Sequence, residues 1–467
     1  MTTTTTQGTG FEQLRTSVQA ELLARIPDHI ERLQWSRRQI EAAQLEGLRV
    51  LLAQAVESSP FHSRRLAGVD PSRFELADLA SLPVMTKAEM MESLDEVFTD
   101  RRLHRGLIEQ ALAATDAEPV PIFGEYTALA SGGVSGQRGL FVFSREGFVN
   151  LFLSQLRAQL ARMQAMGGAP PGGLTIVLLA AASAVHGSAS LSAWTAGGPM
   201  ALRVILVPVT LALPEIVERL NALQPQVLGG YPSIVARLAP EQRAGRLRIT
   251  PRSVTCAGET LTPEFRTAIA DAFGVPTSDI FTSTEGLFGA AGPDDEVLVF
   301  NSDLCIAELV DQENRPVPAG VPSAKVLVTN LYNLTQPLIR YELTDTFVRQ
   351  PATIEHGHLR AKVRGRSDQM LHYEGVDIHP LVVRSVMLKS PETLDYQVRQ
   401  TPRGIDVDAL AVVPVDRDRL ADHLVEALAG AGLDDPVVTV RIVDQLERHP
   451  ETGKIRRFVP LPAMAES

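Results

Sequence analysis

Hydrophobic and polar positions recur along the first sixty residues at the spacing of helices. In EGLRVLLAQAV (46–56), apolar side chains fall on one helix face, namely those of Leu48, Leu51, Leu52 and Val56. We predict that residues 11–60 are mainly helical and that the pattern breaks at Pro60. Further on, LPVMTKAEMMESL (82–94) predicts a turn followed by a helix capped by Thr86.

From the apolar segment LTIVLLAAA onward, short apolar runs alternate with amphipathic helices. The further runs are ALRVILVPV, QVLGGYP, SVTCAGE and DIFTSTE, and the helices are LPEIVERLNAL and TPEFRTAIADAFG. Strand and helix in alternation predict a mostly parallel sheet with helices on both faces. Ligands of such sheets bind beyond the carboxyl ends of the strands, where the turns GGYP, CAGE and TSTE lie.

Towards the C-terminus the elements become shorter and mixed. Two strand-like stretches, DALAVVPV and PVVTVRIVD, flank a helix, DRLADHLVEALAGAG. The predicted fold class is therefore α/β, with a large N-terminal domain (1–366) of mostly parallel sheets flanked by helices, plus a small mobile C-terminal α+β domain (367–467). Residues 1–10, MTTTTTQGTG, are predicted to form a disordered tail.

Composition and charge narrow the partners of the chain. Its 467 residues are 45% hydrophobic and 21% charged, with a net charge of −11. The acidic balance argues against nucleic acid or an anionic membrane as partner. No stretch resembles a secretory leader, the longest apolar run is too short to span a bilayer, and Cys256 and Cys305 are expected to be free thiols. We therefore expect a cytoplasmic protein.

Two short motifs are candidate nucleotide contacts. SGGVSG (131–136) offers backbone N–H groups and hydroxyls to a phosphate, although no lysine follows it as in a G-x-x-x-x-G-K-[ST] loop. In FTSTE (281–285), Thr284 could bind phosphate, Glu285 could bind Mg²⁺ and Phe281 could stack on a flat ring. Taken alone, an ordinary hairpin loop and a helix N-terminus explain the two motifs at least as well.

Three further motifs lie nearer the C-terminus. Asp345 in RYELTD could accept hydrogen bonds from two ribose hydroxyls, and Asp368 in VRGRSDQM lies where a hinge between the two domains is plausible. Lys454 in PETGKIRRF follows a glycine and could be carried into a cleft by domain motion. The alternatives are a loop aspartate, a plain linker and a solvated basic tail.

In their order along the chain, the five motifs resemble those of the adenylate-forming enzymes, the superfamily of acyl-CoA synthetases, luciferases and peptide-synthetase adenylation domains. Two N-terminal stretches, LEGLRVLLAQAVESSPFHSRRL and DLASLPVMTKAEM, resemble the phenylacetate-CoA ligase branch, so the resemblance covers nearly the whole chain. It implies that a carboxylic acid attacks the α-phosphate of ATP and that pyrophosphate leaves. The small domain then rotates, and a thiol, usually that of coenzyme A, attacks the acyl-adenylate.

The resemblance also implies roles for individual residues. Those matched to the loop around the β- and γ-phosphates are Ser131, Gly132, Gly133, Ser135 and Gly136. Those matched to adenine binding are Gly258, Glu259, Thr260 and Phe281, and those matched to ribose binding are Asp345 and Arg366, the latter as a ribose or phosphate contact. Thr284 matches a phosphate-contacting hydroxyl, Glu285 the Mg²⁺ ligand and Asp368 the hinge. Lys454 matches the lysine that bridges the substrate carboxylate and the α-phosphate.

By this resemblance, Lys454 and Mg²⁺ supply the positive charge that the SGGVSG loop lacks. The sequence departs from the pattern at Val134, where threonine is usual, and at Phe281, where tyrosine is common. Neither change removes a group that the chemistry needs. Together they favour a specialised relative, for example one from secondary metabolism.

The same resemblance places the pocket for the acid near His186, Gly230, Tyr231, Ala257, Thr282 and Ser283. The expected lining is small and only lightly aromatic, which favours an aryl or short acyl acid over a long fatty chain. His186 could pair with a polar substituent of that acid or be a purely structural histidine.

Three functions stay open at this point. The first is an AMP-forming acid–thiol ligase that uses ATP, Mg²⁺ and CoA. The second is an adenylating enzyme that passes the activated group to a carrier protein, an amine or another nucleophile. The third is a non-catalytic binding protein, against which the joint presence of Glu285, Asp345 and Lys454 argues. A homodimer is expected only by analogy with relatives.

Overall fold

The structure is a computed structural model that describes most of the chain. The described residues are 7–116, 118–131, 139–165, 167–168, 173–180, 187–198, 202–351, 357–366, 371–378, 380–387, 390, 392–411, 414–448 and 455–461.

Thirteen α-helices lie within these described residues, together with two 3₁₀ helices at Arg32–Gln34 and Leu76–Ser81. The first seven are α1 (Gln7–Glu31), α2 (Arg37–Ser58), α3 (Pro60–Arg65), α4 (Lys87–Glu92), α5 (Leu94–Val97), α6 (Arg105–Ala114) and α7 (Arg145–Ala165). The next four are α8 (Gly187–Thr195), α9 (Leu213–Leu223), α10 (Pro232–Arg243) and α11 (Pro263–Phe273). The last two are α12 (Pro380–Met387) and α13 (Arg417–Gly430).

The strands of the described residues fall into five sheets. The first seven are β1 (Tyr126–Ala130), β2 (Leu140–Ser144), β3 (Leu174–Ala180), β4 (Leu202–Pro208), β5 (Val227–Gly230), β6 (Ser253–Ala257) and β7 (Thr277–Thr282). The next seven are β8 (Phe288–Ala291), β9 (Leu298–Phe300), β10 (Cys305–Val310), β11 (Lys325–Asn330), β12 (Tyr341–Leu343), β13 (Asp345–Arg349) and β14 (Arg360–Arg366). The last six are β15 (Leu371–Tyr373), β16 (Val376–Ile378), β17 (Thr393–Thr401), β18 (Gly404–Ala411), β19 (Val437–Ile442) and β20 (Phe458–Val459).

A nine-stranded sheet forms the centre of the large N-terminal part, in the order β13-β14-β9-β8-β7-β6-β5-β3-β4. Strands β4, β3, β5, β6 and β7 are mutually parallel, whereas β8, β9, β14 and β13 add antiparallel neighbours. The α/β class with helices around a parallel-rich sheet is confirmed. The sheet is more mixed than predicted, because reversing turns after β7 and β8 return the chain directly beside itself instead of through a crossover helix.

The C-terminal part has a hydrophobic core of its own. Its buried members run from Leu371 to Phe458 and include Val398, Val407 and Leu424. The other clusters of buried apolar side chains contain only residues up to Ala361. Separate cores fit two domains that pack independently, and the exact boundary at 366/367 stays a prediction. We use "large domain" and "small domain" for these two parts.

The N-terminal helices largely follow the sequence pattern. Helix α2 begins at a capping box in which Ser36 and Gln39 exchange hydrogen bonds, and it buries the predicted apolar side chains Leu48, Leu51 and Leu52. The cap at Thr86 of α4 is also confirmed. The tail predicted over 1–10 is wrong at its end, since α1 begins at Gln7.

In the small domain, β18, α13 and β19 lie where the sequence predicts strand, helix and strand, whereas β17 and β20 were not predicted. These strands form a four-stranded sheet in the order β19-β18-β17-β20. Within the described residues, no helix combines the length and the apolar character needed to cross a membrane.

Two buried histidines predict an acid-sensitive fold. Burial lowers the pKa of His62 from 6.5 to about 4, and the His62 ring contacts the Pro337 carbonyl oxygen at 3.0 Å. Burial likewise lowers the pKa of His29 to about 4. A lowered folded-state pKa means that protonation favours unfolding. The stability that neutral His62 contributes is therefore complete above its unfolded pKa and is lost as the pH falls from 6.5 towards 4.

We expect the contribution of His62 to the free energy of unfolding to fall by about 2 kcal/mol between pH 7 and pH 5. His62→Gln keeps a donor but does not titrate, so its stability should depend correspondingly less on pH. Urea unfolding at the two pH values measures this difference. His423→Gln, on the exposed face of α13, is the control and should behave like the wild type. A pH dependence of His62→Gln as steep as that of the wild type would contradict the prediction.

Candidate functional site at the carboxyl ends of the parallel strands

Three neighbouring parallel strands end at the same level of the large sheet. In the ladders, Gly230 of β5 lies opposite Cys256 of β6, and Cys256 lies opposite Asp279 of β7. The loops that follow these strands therefore leave the sheet side by side. They contain the GGYP, CAGE and TSTE motifs, so the sheet brings together three segments that the sequence predicts as site loops.

Glycines allow the backbone to turn at two of these strand ends. A Cβ atom at Gly230 would lie 2.8 Å from Cβ of Leu179 on the neighbouring strand, which is closer than side chains tolerate. Gly258 has φ of 80°, the left-handed region that other residues rarely adopt. The end of β5 therefore has no room for a side chain at Gly230, and the chain turns sharply at Gly258 after β6.

The loop after β7 is a tight turn that carries Thr284 and Glu285. The Gly286 N–H donates to the Ser283 carbonyl oxygen at 3.1 Å, and the Ser283 N–H donates to the Leu287 carbonyl oxygen at 3.0 Å. The Leu287 N–H donates to the Ser283 hydroxyl at 3.3 Å. Ser283, predicted for the acid pocket, therefore uses its hydroxyl to close this turn.

Three side chains donate hydrogen bonds to the backbone of this turn. Asn330 Nδ2 donates to the Glu285 carbonyl oxygen at 2.8 Å. The Gly286 carbonyl oxygen accepts from Asn301 Nδ2 at 3.1 Å and from the Tyr332 hydroxyl at 3.2 Å. Glu285 itself is buried, with only 8% of its surface exposed. The backbone at Glu285 is therefore fixed by neighbouring side chains of the protein itself.

Aromatic packing connects the end of β7 to the far strands of the sheet. The Phe281 ring lies 5.1 Å from that of Phe347 and 5.8 Å from that of Phe300, measured between centroids. Phe347 follows Asp345 by two residues on β13, and Asp345 lies opposite Arg366 in the β13–β14 ladder. The predicted ring-stacking and ribose-binding segments are thus neighbours in space.

The glycine-rich motif joins two antiparallel strands, β1 and β2, so that the hairpin geometry is present. At its base, the Ser131 N–H donates to the Gly139 carbonyl oxygen at 2.9 Å, and the Gly139 N–H donates to the Ser131 hydroxyl at 2.8 Å. Lys87, the first residue of α4, donates from Nζ to the same hydroxyl at 3.2 Å. A cation therefore lies at the base of the loop that lacks its own lysine.

Sequence reasoning missed Lys87 as a site residue, although it lies in the MTKAEM stretch that resembles the ligase branch. Only the tertiary fold brings it to Ser131. The Met85 N–H donates to the Arg340 carbonyl oxygen at 3.0 Å, and Arg340 Nη1 donates to the Ala80 carbonyl oxygen at 2.9 Å. These bonds fix the segment before Lys87 to the segment that carries Arg340.

Glu259, predicted in the adenine-binding turn, connects the two domains. One carboxylate oxygen accepts from the Ser233 N–H at the start of α10 at 3.3 Å. The other accepts from the Ile455 N–H at 3.0 Å. The segment that begins at Ile455 therefore approaches the large domain at the end of β6.

Seven of the predicted site residues lie outside the described part of the chain. Those outside the described residues are Gly132, Gly133, Ser135, Gly136, His186, Asp368 and Lys454, and only the backbone of Arg366 is described. Among the predicted pocket residues, Tyr231 is 4% exposed and belongs to an apolar core, while Thr282 is exposed. The roles of Gly230, Ala257 and Thr260 stay predictions.

The side chains of the candidate site suit a metal ion that is bound jointly with a ligand. They suit a site built from protein ligands alone less well. In the described part of the chain, no three histidine, cysteine, aspartate or glutamate side chains lie together as metal ligands would. Mg²⁺ usually binds through one or two carboxylates plus substrate phosphates and water. Glu285, whose backbone is held in the turn and which directly follows Thr284, fits that mode as a single carboxylate ligand.

Comparison with known proteins gives relatives along most of the chain, although no protein-family model matches it. A phenylacetate-coenzyme A ligase of Thermus thermophilus is 27% identical over 470 residues, which cover 91% of this chain and 97% of the relative. A phenylacetate-coenzyme A ligase of Escherichia coli is 24% identical over 402 residues, which cover 80% of this chain and 82% of the relative.

Crystal structures of 2-hydroxyisobutyryl-CoA ligase share the fold. In its postadenylation state with 2-HIB-AMP, the TM-score is 0.69 at 18% identity, covering 92% of this chain and 91% of that one. In its thioesterification state with 2-HIB-AMP and CoA, the TM-score is 0.56 at 19% identity, with the same coverage of 92% and 91%. The chain thus has the fold of adenylate-forming ligases, and its similarity to the phenylacetate-CoA ligase branch is confirmed.

The turn that carries Glu285 predicts a specific sensitivity to a methyl group. Gly286 has φ of 103°, and a Cβ atom there would collide with Asn330 and Tyr332, the side chains that hold the turn. We expect Gly286→Ala to lower the free energy of unfolding by about 3 kcal/mol or more, because backbone strain and overpacking add.

Gly245→Ala is the matched control for backbone strain alone. Gly245 has φ of 71°, but a Cβ atom there would meet nothing within 4 Å. Its expected cost is about 1 kcal/mol. Denaturant unfolding of both variants measures the difference, and equal costs would show that the turn is not tightly held.

Proposed function

We propose that this protein is an AMP-forming acid–thiol ligase, which activates a carboxylic acid with ATP and transfers the acyl group to coenzyme A. The substrate carboxylate attacks the α-phosphorus, and pyrophosphate leaves. The thiol then attacks the acyl carbon, and AMP leaves. The end-to-end similarity to phenylacetate-CoA ligases and the fold shared with a ligase that binds acyl-AMP and CoA support this function.

The contact between Ile455 and Glu259 supports this function independently of similarity. The Ile455 N–H donates to Glu259 at the end of β6, and Lys454 directly precedes Ile455. Consecutive Cα atoms are about 3.8 Å apart. A lysine joined to this contact point can reach a nucleotide held at the neighbouring strand ends. This supports Lys454 as the group that contacts the carboxylate and the α-phosphate during adenylation.

The relation of the two domains supports the same step. The chain has a TM-score of 0.69 with the postadenylation state of 2-hydroxyisobutyryl-CoA ligase and 0.56 with the thioesterification state of the same enzyme. The first state follows adenylation, so the present orientation suits the first half-reaction. Transfer to the thiol would require the small domain to turn, with Asp368 as the proposed hinge.

The remaining residues would each contact a different part of ATP. The loop from Ser131 to Gly136 would hold the β- and γ-phosphates through N–H groups and hydroxyls, with Lys87 at its base. Thr284 would contact phosphate, and Asp345 would accept from the ribose hydroxyls. Mg²⁺, held by Glu285 and the phosphates, would supply positive charge as pyrophosphate leaves.

The residues at the strand ends bear on the class of acid. Small residues at the strand ends, such as Gly230 and Ala257, support an aryl or short acyl acid. A carrier protein, an amine or another nucleophile in place of CoA is the second candidate, and it fits a role in secondary metabolism. A homodimer stays a proposal by analogy with relatives.

We expect Lys454→Ala to lower acid-dependent ATP–pyrophosphate exchange by about 10²–10³-fold, because it removes a charge placed where the transition state develops one. The free energy of unfolding should not change. Lys362→Ala is the control, since Lys362 pairs with Glu296 at the surface of the large domain. Exchange by Lys454→Ala at the rate of the control would contradict the role of this lysine.

Leaving out CoA separates the two candidate acceptors. For a CoA ligase, pyrophosphate release without CoA should stop at about one equivalent per active site, and CoA should restore steady turnover with formation of an acyl-CoA. Product analysis by mass spectrometry measures both. Steady turnover that needs a carrier protein or an amine, and that CoA does not support, would favour the second candidate.

A further inference from the structure

Arg457 lies between two aromatic rings, one from the large domain and one from the small domain. Its guanidinium carbon is 4.9 Å from the ring centroid of Phe265 on α11 in the large domain. It is 4.8 Å from the ring centroid of Tyr396 on β17 in the small domain. The Arg457 side chain is only 11% exposed, so these cation–π contacts are largely shielded from water.

A buried carboxylate completes the surroundings of Arg457. Arg457 Nη2 donates to Asp395 Oδ1 at 2.6 Å, and the Asp395 side chain is 1% exposed. Burial raises the pKa of Asp395, while the charge of Arg457 opposes that rise. The second oxygen, Oδ2, has no hydrogen-bond partner in the described residues. The carboxylate therefore depends on the arginine for its charge partner.

The contacts of the Arg457 segment with the small domain form part of that domain's sheet. The Val398 N–H donates to the Arg457 carbonyl oxygen at 2.7 Å. Gln397 Nε2 donates to the Arg456 carbonyl oxygen at 2.9 Å. With Asp395, these bonds tie the segment to β17, so it should move with the small domain as one body.

The same C-terminal region also contacts the large domain. In the described residues these contacts include the Phe265 ring on Arg457, Glu259 on the Ile455 N–H at 3.0 Å, and Ser233, whose hydroxyl lies 3.5 Å from Arg448 Nη2. A rotation of the small domain would break these three contacts and leave the bonds to β17 intact.

We propose that Arg457 is a positioning residue that fixes the small domain, through its contact with Phe265, in the orientation that presents Lys454 to the nucleotide. It acts on acyl-adenylate formation and not on transfer to the thiol. This proposal rests on the proposed function for its catalytic consequence, but the orientation itself does not depend on any activity.

Arg457→Lys tests the contact while retaining the charge beside Asp395. Lysine lacks the planar group that stacks between two rings, so the orientation should be less populated. We expect ATP–pyrophosphate exchange to fall by about tenfold. Thioester formation from preformed acyl-adenylate and CoA should change less than twofold. A merely structural role predicts that both rates fall together, and that result would overturn the proposal.

Arg441→Lys is the matched control. Arg441 pairs with Asp408 on the small domain's sheet and is half exposed, away from Phe265. Both half-reactions should be unchanged in this variant. Equal losses of exchange in Arg441→Lys and Arg457→Lys would show that the effect is not specific to the domain contact.

A distance measurement tests the orientation without substrate. Cys256 and Cys305 are buried, so spin labels can be directed to cysteines introduced at two exposed positions, Glu218 on α9 and Asp422 on α13. Pulsed electron–electron double resonance should give a narrow distribution of the distance between the two labels in the otherwise wild-type chain. The distribution should be broader in the Arg457→Lys variant.

The two measurements separate the possible failures. An unchanged, narrow distribution in Arg457→Lys would overturn the positioning role, whatever the activity. A broadened distribution in a protein that shows no exchange with any acid would support the positioning role and contradict the proposed function.

Discussion

The site depends on the parallel register of β5, β6 and β7. Because these strands are paired in parallel with their ends level, three loops leave the sheet at one edge. The register also explains why small residues recur there, since Leu179 of the adjacent strand leaves no room for a side chain at Gly230. A shift of one residue in β6 would turn Cys256 out of the core and misplace Glu259 together with the domain contact it makes.

The charge of the protein and the charge of its proposed substrate are of the same sign. With a net charge of −11, the chain has no general attraction for ATP. Binding would have to come from local groups: N–H donors of a glycine-rich loop, Lys87 at its base and a lysine brought by another domain. Dividing the cations between two domains has a consequence for mechanism. Under the proposed function, the nucleotide site would be complete only when the domains are correctly oriented, which would link chemistry to domain motion.

The sequence was a good guide wherever local pattern decides structure. The strands before GGYP, CAGE and TSTE and the helix capped by Thr86 could be predicted because hydrophobic runs, caps and turns are local. Contacts between residues that are far apart in the sequence could not be predicted in this way. Lys87 reaches Ser131 only through the docking of its segment on Arg340, and β17 was missed because TLDYQVRQT carries charged residues such as Asp395 that are buried by a partner from the tail. The specific roles of Lys454 at the α-phosphate and of His186 in the acid pocket came from resemblance, whereas the hinge at Asp368 was also suggested by its own motif.

The most direct test is a crystal structure of the protein with a non-hydrolysable acyl-sulfamoyl analogue of the acyl-adenylate. Our account predicts that the adenosine lies beyond the ends of β6 and β7, with its ribose at Asp345. The sulfamoyl group should lie between Thr284 and Lys454 Nζ. An analogue bound elsewhere, or a Lys454 that points away from it while Ile455 still contacts Glu259, would contradict the account.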